Sequence, residues 1–100
     1  MPIDDKWRKL IPEQIQNLPD YPGVFEFTDI LQENVLFIGY AESLIQAILQ
    51  IVEKKPLEYA GITFFRFKAT NEYNNELKQL LDEFQQKYNK LPVINEKLKS

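Results

Sequence analysis

The chain offers few side chains capable of chemistry. Its 100 residues include no cysteine and no histidine. The first absence removes disulfides, thiolate metal ligands and thiol nucleophiles. The second removes the commonest general base and the commonest metal ligand. Ser43 and Ser100 are the only serines, with no imidazole to activate either. The three glycines, Gly23, Gly39 and Gly61, are too scattered for a phosphate-cradling loop and read as turn or strand-end residues. What remains is a set of oxygen and guanidinium groups. The hydroxyls of Tyr21 and Tyr40 can pass a proton or orient water. Arg66 can stabilise charge on a phosphate, or be a surface ion-pair partner. The carboxylates of Glu76 and Glu83 can hold a hard cation such as Mg²⁺, or be solvated acids on a helix surface.

Charge is unevenly placed. The net charge is -3, and no Lys or Arg occurs between Lys9 and Lys54. That gap holds seven acids: Glu13, Asp20, Glu26, Asp29, Glu33, Glu42 and Glu53. Nucleic-acid binding rests on cations that neutralise phosphates, so a surface built from residues 10–53 would repel a polyanion. The gap is equally compatible with chance and a need for solubility. The C-terminal Lys87, Lys90, Lys97 and Lys99 are mixed with acids and read as a solvated face.

The elements that must position these groups follow from periodicity. Hydrophobic residues make up 44% of the chain, a core-forming composition for a single domain. Residues 4–10 and 12–17 read as short helical pieces pinned by Trp7, Leu10 and Ile15, with Pro12 at a first-turn position. Residues 18–23 are turn chemistry. Residues 24–28 are rich in β-formers and read as a strand, and 29–34 as a hairpin loop. The apolar run 35–38 reads as a central, buried strand. Residues 41–53 read as a helix whose apolar residues span an arc about 200° wide, roughly twice what one packed face needs. Such a helix is either covered from two directions or touches a partner. Residues 62–67 read as a third strand. A last helix follows, capped by Thr70 or Asn71, with Tyr73, Leu77, Leu80, Leu81, Phe84 and Tyr88 at helical spacing. It ends at 89–92, and residues from Glu96 onward are expected to fray. The expected fold is α/β (α+β), ordered ββαβα: a three-stranded, mainly antiparallel sheet flanked by helices, behind a helical segment at 1–17. The main domain is expected at 18–95, with a tail at 96–100.

Four short motifs in this order resemble the GIY-YIG nuclease domain, especially the one at the N-terminus of the bacterial DNA-repair excinuclease. Leu18-Pro19-Asp20-Tyr21-Pro22-Gly23-Val24-Phe25 is similar to that family's opening Leu-Pro-x-x-Pro-Gly-Val-Tyr. Phe37-Ile38-Gly39 stands where the family has Tyr-Ile-Gly. Tyr40 to Leu44 resembles Lys-Ala-x-Asn-Leu. Leu91 to Asn95 resembles the closing Pro-x-x-Asn. The resemblance implies cleavage of phosphodiester bonds with one divalent metal, two tyrosine hydroxyls, an arginine and a metal-holding glutamate. At the matching positions this chain has Phe25, Phe37 and Ala47. Counting back from Asn95 puts Glu83 at the metal position, with Glu76 the choice if the register shifts.

Those substitutions keep packing and remove chemistry. Removing a single charge-stabilising donor lowers a rate by ~10²–10³, so three lost groups imply no useful activity. The reading that follows is a non-catalytic interaction or regulatory module with no cofactor. It binds a protein partner, or self-associates, through the helix at 41–53 with Ala47 and Leu49 near its rim. Nucleic-acid binding is not expected. The alternative is a Mg²⁺-dependent DNA endonuclease whose missing groups are supplied by Tyr21, Tyr40 or Arg66. The first ten residues lack the apolar core of a secretory signal, and no apolar run reaches the ~18 residues of a membrane helix. A cytoplasmic location is expected.

Overall fold

The computed structural model describes residues 6–54 and 57–99. The elements are β1 (Arg8–Lys9), α1 (Pro12–Ile15), β2 (Gly23–Thr28), β3 (Val35–Ala41), α2 (Leu44–Lys54), a 3₁₀ turn (Leu57–Tyr59), β4 (Phe64–Ala69), α3 (Tyr73–Tyr88) and α4 (Val93–Lys99). All strand pairs are antiparallel, and the sheet order is β1-β4-β2-β3.

The sheet therefore has four strands rather than three. The fourth comes from the N-terminal segment expected to be helical. Arg8 and Lys9 pair with Phe65 and Phe64 instead. An isolated helix of so few residues is unstable in water because its first turn is costly to nucleate. As a strand the same residues satisfy the open edge of β4, Arg8 lies over the Phe67 ring, and the neighbouring Trp7 covers Arg66. Residues 4 and 5 lie outside the described residues.

β3 is an edge strand, not a central one. Its apolar run misleads because helices, rather than flanking strands, bury it: both α3 and α4 pack on β3. The central strands are β2 and β4. Every residue of β2 is buried. The helix expected over 41–53 begins at Leu44, because Ala41 is still paired with Gly23 in the sheet. The third expected strand runs two residues later, from Phe64 to Ala69. Neither Thr70 nor Asn71 is the cap of α3. Glu72 holds that position with no side-chain bond, while the Thr70 hydroxyl accepts a bond from the Glu72 N–H at 3.1 Å. Asn89 closes α3 in the left-handed conformation. The tail expected to fray from Glu96 instead continues α4 to Lys99. Buried Ile94 anchors that helix, and the Leu91 N–H donates to Glu96 Oε1 at 3.2 Å.

Strand side chains alternate between faces, so the sheet carries two cores. On one face Phe25, Phe27, Phe37 and Phe65 pack with Leu44 and Ile48 of α2. On the other, Val24 and Ile38 pack with Leu80 of α3. The wide apolar arc of α2 is covered from more than one direction. α1 contacts it on one side, and Tyr59 and Ile62 pack against the same core as its half-buried Ile51 and Val52.

Candidate functional site

Two glycines and an asparagine hold the motif strands together. β2 and β3 are registered so that Phe25 faces Gly39 and Phe27 faces Phe37. A β-carbon at Gly39 would collide with the Phe37 ring, and one at Gly23 would collide with the Lys68 carbonyl oxygen and with Leu44. Both positions therefore need glycine for close approach rather than for a special φ. Asn95 bridges α4 to the edge strand. Its Oδ1 accepts from the Ile38 N–H at 2.8 Å, and its Nδ2 donates to the Ile38 carbonyl at 2.9 Å. Asn95→Ala leaves both backbone groups without that partner. A loss of about 2 kcal/mol is expected, measured by urea denaturation. A loss below ~0.5 kcal/mol would mean water replaces the side chain without penalty.

The positions that the family resemblance marks for chemistry are packed as core. Phe25 and Phe37 are buried, with ring centroids 5.9 Å apart. Phe27 lies 5.2 Å from Phe25 and 5.9 Å from Phe37, and Tyr59 meets Phe37 edge-on at 5.2 Å. Ala47 is half-buried against the same cluster. Tyr21 and Tyr40 are exposed, and the Tyr40 ring stacks on Tyr73 at 5.3 Å, away from the phenylalanine cluster.

Glu83 belongs to the other face. It lines a groove of about 650 Å³ with Glu26, Ile38, Arg66 and Lys87, and none of Phe25, Phe37 or Ala47 reaches that groove. Glu76 is engaged by Lys68 at 2.8 Å. Among the lining residues is an ion pair whose partner and burial the sequence did not reveal. Arg66 Nε donates to Glu26 Oε1 at 2.6 Å, and the guanidinium lies 4.2 Å from the centre of the Trp7 ring. Glu26 is only 5% exposed. Burial pushes its carboxyl above the ordinary value; the charge and hydrogen bond of Arg66 oppose that rise, and the nearby charge of Glu83 adds to it. The one local signal was an acid in the middle of an otherwise apolar strand. Its partner lies 40 residues away and is found only once the β2–β4 register is known.

This donor set is a poor fit for a divalent cation. Mg²⁺ takes hard oxygen ligands and commonly one or two carboxylates. Here Glu26 is bound to a guanidinium and pushed toward its neutral form. Arg66, Lys87 and Lys90 line the same groove and oppose added positive charge. Among the described residues no group of three or more acidic, His or Cys side chains converges.

With this geometry in view, residues 1–87 match a family described as a domain of unknown function, DUF7508. The chain belongs to the DUF7508 family. No curated protein matches it. Solved structures similar to this DUF7508 chain include the GIY-YIG N-terminal endonuclease domain of UvrC from Thermotoga maritima, bound to its catalytic magnesium. That likeness has 17% identity, covers 82% of this chain and 91% of that one, and has a TM-score of 0.59. An asparagine-to-alanine point mutant of the same domain matches at 17% identity over 82% and 90% of the two chains, with a TM-score of 0.60. A tyrosine-to-phenylalanine point mutant matches at 19% identity over 82% and 91%, with a TM-score of 0.59. The DUF7508 chain thus has a GIY-YIG-like fold. At such low identity the likeness speaks for the fold alone. No helix among the described residues is long and apolar enough to cross a membrane.

Proposed function

We propose that this domain is a non-catalytic interaction module on a nuclease-like fold. One observation carries the reading. The two positions where the GIY-YIG pattern has tyrosine hold Phe25 and Phe37, and their rings are locked together in the core beside Phe27 and Tyr59. A hydroxyl added there would enter an apolar cluster rather than meet a substrate. The stretch free of Lys and Arg between Lys9 and Lys54 supports the loss of polyanion binding as well.

A second reading, a metal-dependent endonuclease with displaced groups, draws on the shared groove of Arg66 and Glu83. Nicking of supercoiled plasmid in Mg²⁺ or Mn²⁺ separates the two. The expected result is no nicking above that of the Glu83→Ala variant. Metal-dependent nicking that Glu83→Ala abolishes would establish the endonuclease instead.

A further inference from the structure

The two edges of the sheet are closed in different ways. β1 closes one edge with two residues, Arg8 and Lys9. A strand so short and so charged offers little for another chain to pair with. β3 forms the other edge and runs for seven residues, Val35–Ala41. None of the seven is charged and none is proline. A long uncharged edge of β-forming residues is the kind that pairs with a second strand.

A side chain stands in the way of such pairing. In an antiparallel ladder the backbone groups of successive residues point alternately toward one neighbour and then to the other side. The Ile38 N–H donates to Asn95 Oδ1 at 2.8 Å, and the Ile38 carbonyl accepts from Asn95 Nδ2 at 2.9 Å, so both groups point away from β2. Tyr40, two residues along β3, turns its backbone groups to the same side. Two facing strand residues that exchange both bonds make the same pair of contacts. The Asn95 carboxamide thus fills the place of one residue of a neighbouring strand.

α4 carries that carboxamide to the edge, packing on β3 and on the 3₁₀ turn. Its hold is local: Ile94 is buried, while Val93 and Leu98 are exposed. A helix of seven residues is not stable alone, so its place depends on Ile94 and Asn95. The short link to α3 keeps the carboxamide at an effective concentration on the order of millimolar, above that of a second copy in dilute solution. We infer that α4 is an intramolecular cap, in which Asn95 stands in for a strand at Ile38 and keeps the β3 edges of two copies from pairing. With the cap displaced, Ile38 of each copy faces Ile38 of the other across a two-fold axis, and the two exchange the bonds that Asn95 now makes. The two-residue β1 edge gives no second site, so association closes at two chains.

Light scattering on the full chain across roughly a hundredfold range of concentration tests it, with a melting curve on each protein to verify folding. The variants are Asn95→Ala, the double variant Asn95→Ala, Tyr40→Pro, and Leu80→Val. Proline at position 40 removes an outward N–H and leaves the ladder to β2 in place. Leu80→Val weakens the core under α3 with the cap intact. Asn95→Ser, too short to reach both backbone groups, replaces Asn95→Ala should the latter fail to fold. Wild type and Leu80→Val are expected to stay at one chain. Asn95→Ala is expected to rise toward two, associating at least about tenfold more tightly than wild type, and the double variant to return to one. Hydrogen exchange at the Ile38 amide is a second readout: in Asn95→Ala it runs faster than in wild type at low concentration and slows as the chains pair. A folded Asn95→Ala that stays monomeric, pairing that survives Tyr40→Pro, equal pairing by Leu80→Val or by wild type, or growth beyond two chains overturns the proposal. None of these outcomes bears on plasmid nicking, so failure here and failure of the non-catalytic reading stay separate.

Discussion

Replacing Arg66 with alanine should destabilise the domain by about 3–5 kcal/mol, the range for breaking a buried ion pair by removing one partner. For a domain of this size that means a fall of at least about 12 °C in Tm. The reason is the Glu26 carboxyl left behind at 5% exposure without its guanidinium partner. The Trp7 ring also loses the guanidinium it covers. The sign of the pH dependence is distinctive. Burial already raises the Glu26 carboxyl above its ordinary value, so the folded chain holds this proton more readily than the unfolded chain. The stability linked to Glu26 is complete below the unfolded value and declines as pH rises through the folded one. Without Arg66 the folded value rises further. The deficit of Arg66→Ala should therefore be largest near about pH 7 and narrow toward about pH 5, the approach to the ordinary carboxylate range. Urea denaturation at both values measures it. The double variant Glu26→Gln, Arg66→Met removes both charges and should lie close to wild type. A single-variant loss under ~1 kcal/mol would make Arg66 an ordinary surface partner.

Phe27→Ala should produce a loss of similar size, about 3–5 kcal/mol. The ring is fully buried and contacts the rings of Phe25, Phe37 and Tyr59 at 5.2, 5.9 and 6.1 Å. Its removal leaves a cavity, because three other rings and the backbone of the central strand confine the site. Phe37→Tyr is the informative contrast. It keeps the ring and adds one hydroxyl within the apolar cluster. A cost of about 1–3 kcal/mol is expected if that hydroxyl finds no partner, and plasmid nicking should not appear. Denaturant midpoints for both variants test the ranking. A Phe27→Ala protein within ~1 kcal/mol of wild type would contradict the packing described.

Much of this architecture was legible in the residues. Turn chemistry at 18–23, β-rich runs on either side of it and the helical spacing from Tyr73 to Tyr88 gave element order and type. The misses have physical causes. β1 is two residues long and carries no periodicity; only its pairing with Phe64 and Phe65 defines it. Val35 to Ile38 looked central because an apolar run reports burial, not the source of that burial, and helices cover this edge. For the site, the absence of hydroxyls at Phe25 and Phe37 could be read from their identity, but not that their rings close into a core. The ion pair of Glu26 and Arg66 could not, since it depends on a register between strands far apart in the chain. For the same reason the sequence could not show that Glu83 and the phenylalanine pair sit apart.

The two-sided sheet also bears on how this chain can change. The phenylalanine cluster and the Val24–Ile38–Leu80 cluster share no residue. Substitutions more than ~7–10 Å apart with no common partner usually add, so a change at Ile48 of α2 and one at Leu80 of α3 should add, whereas Val24 and Ile38 adjoin Phe25 and Phe37 in the chain and transmit changes between the faces.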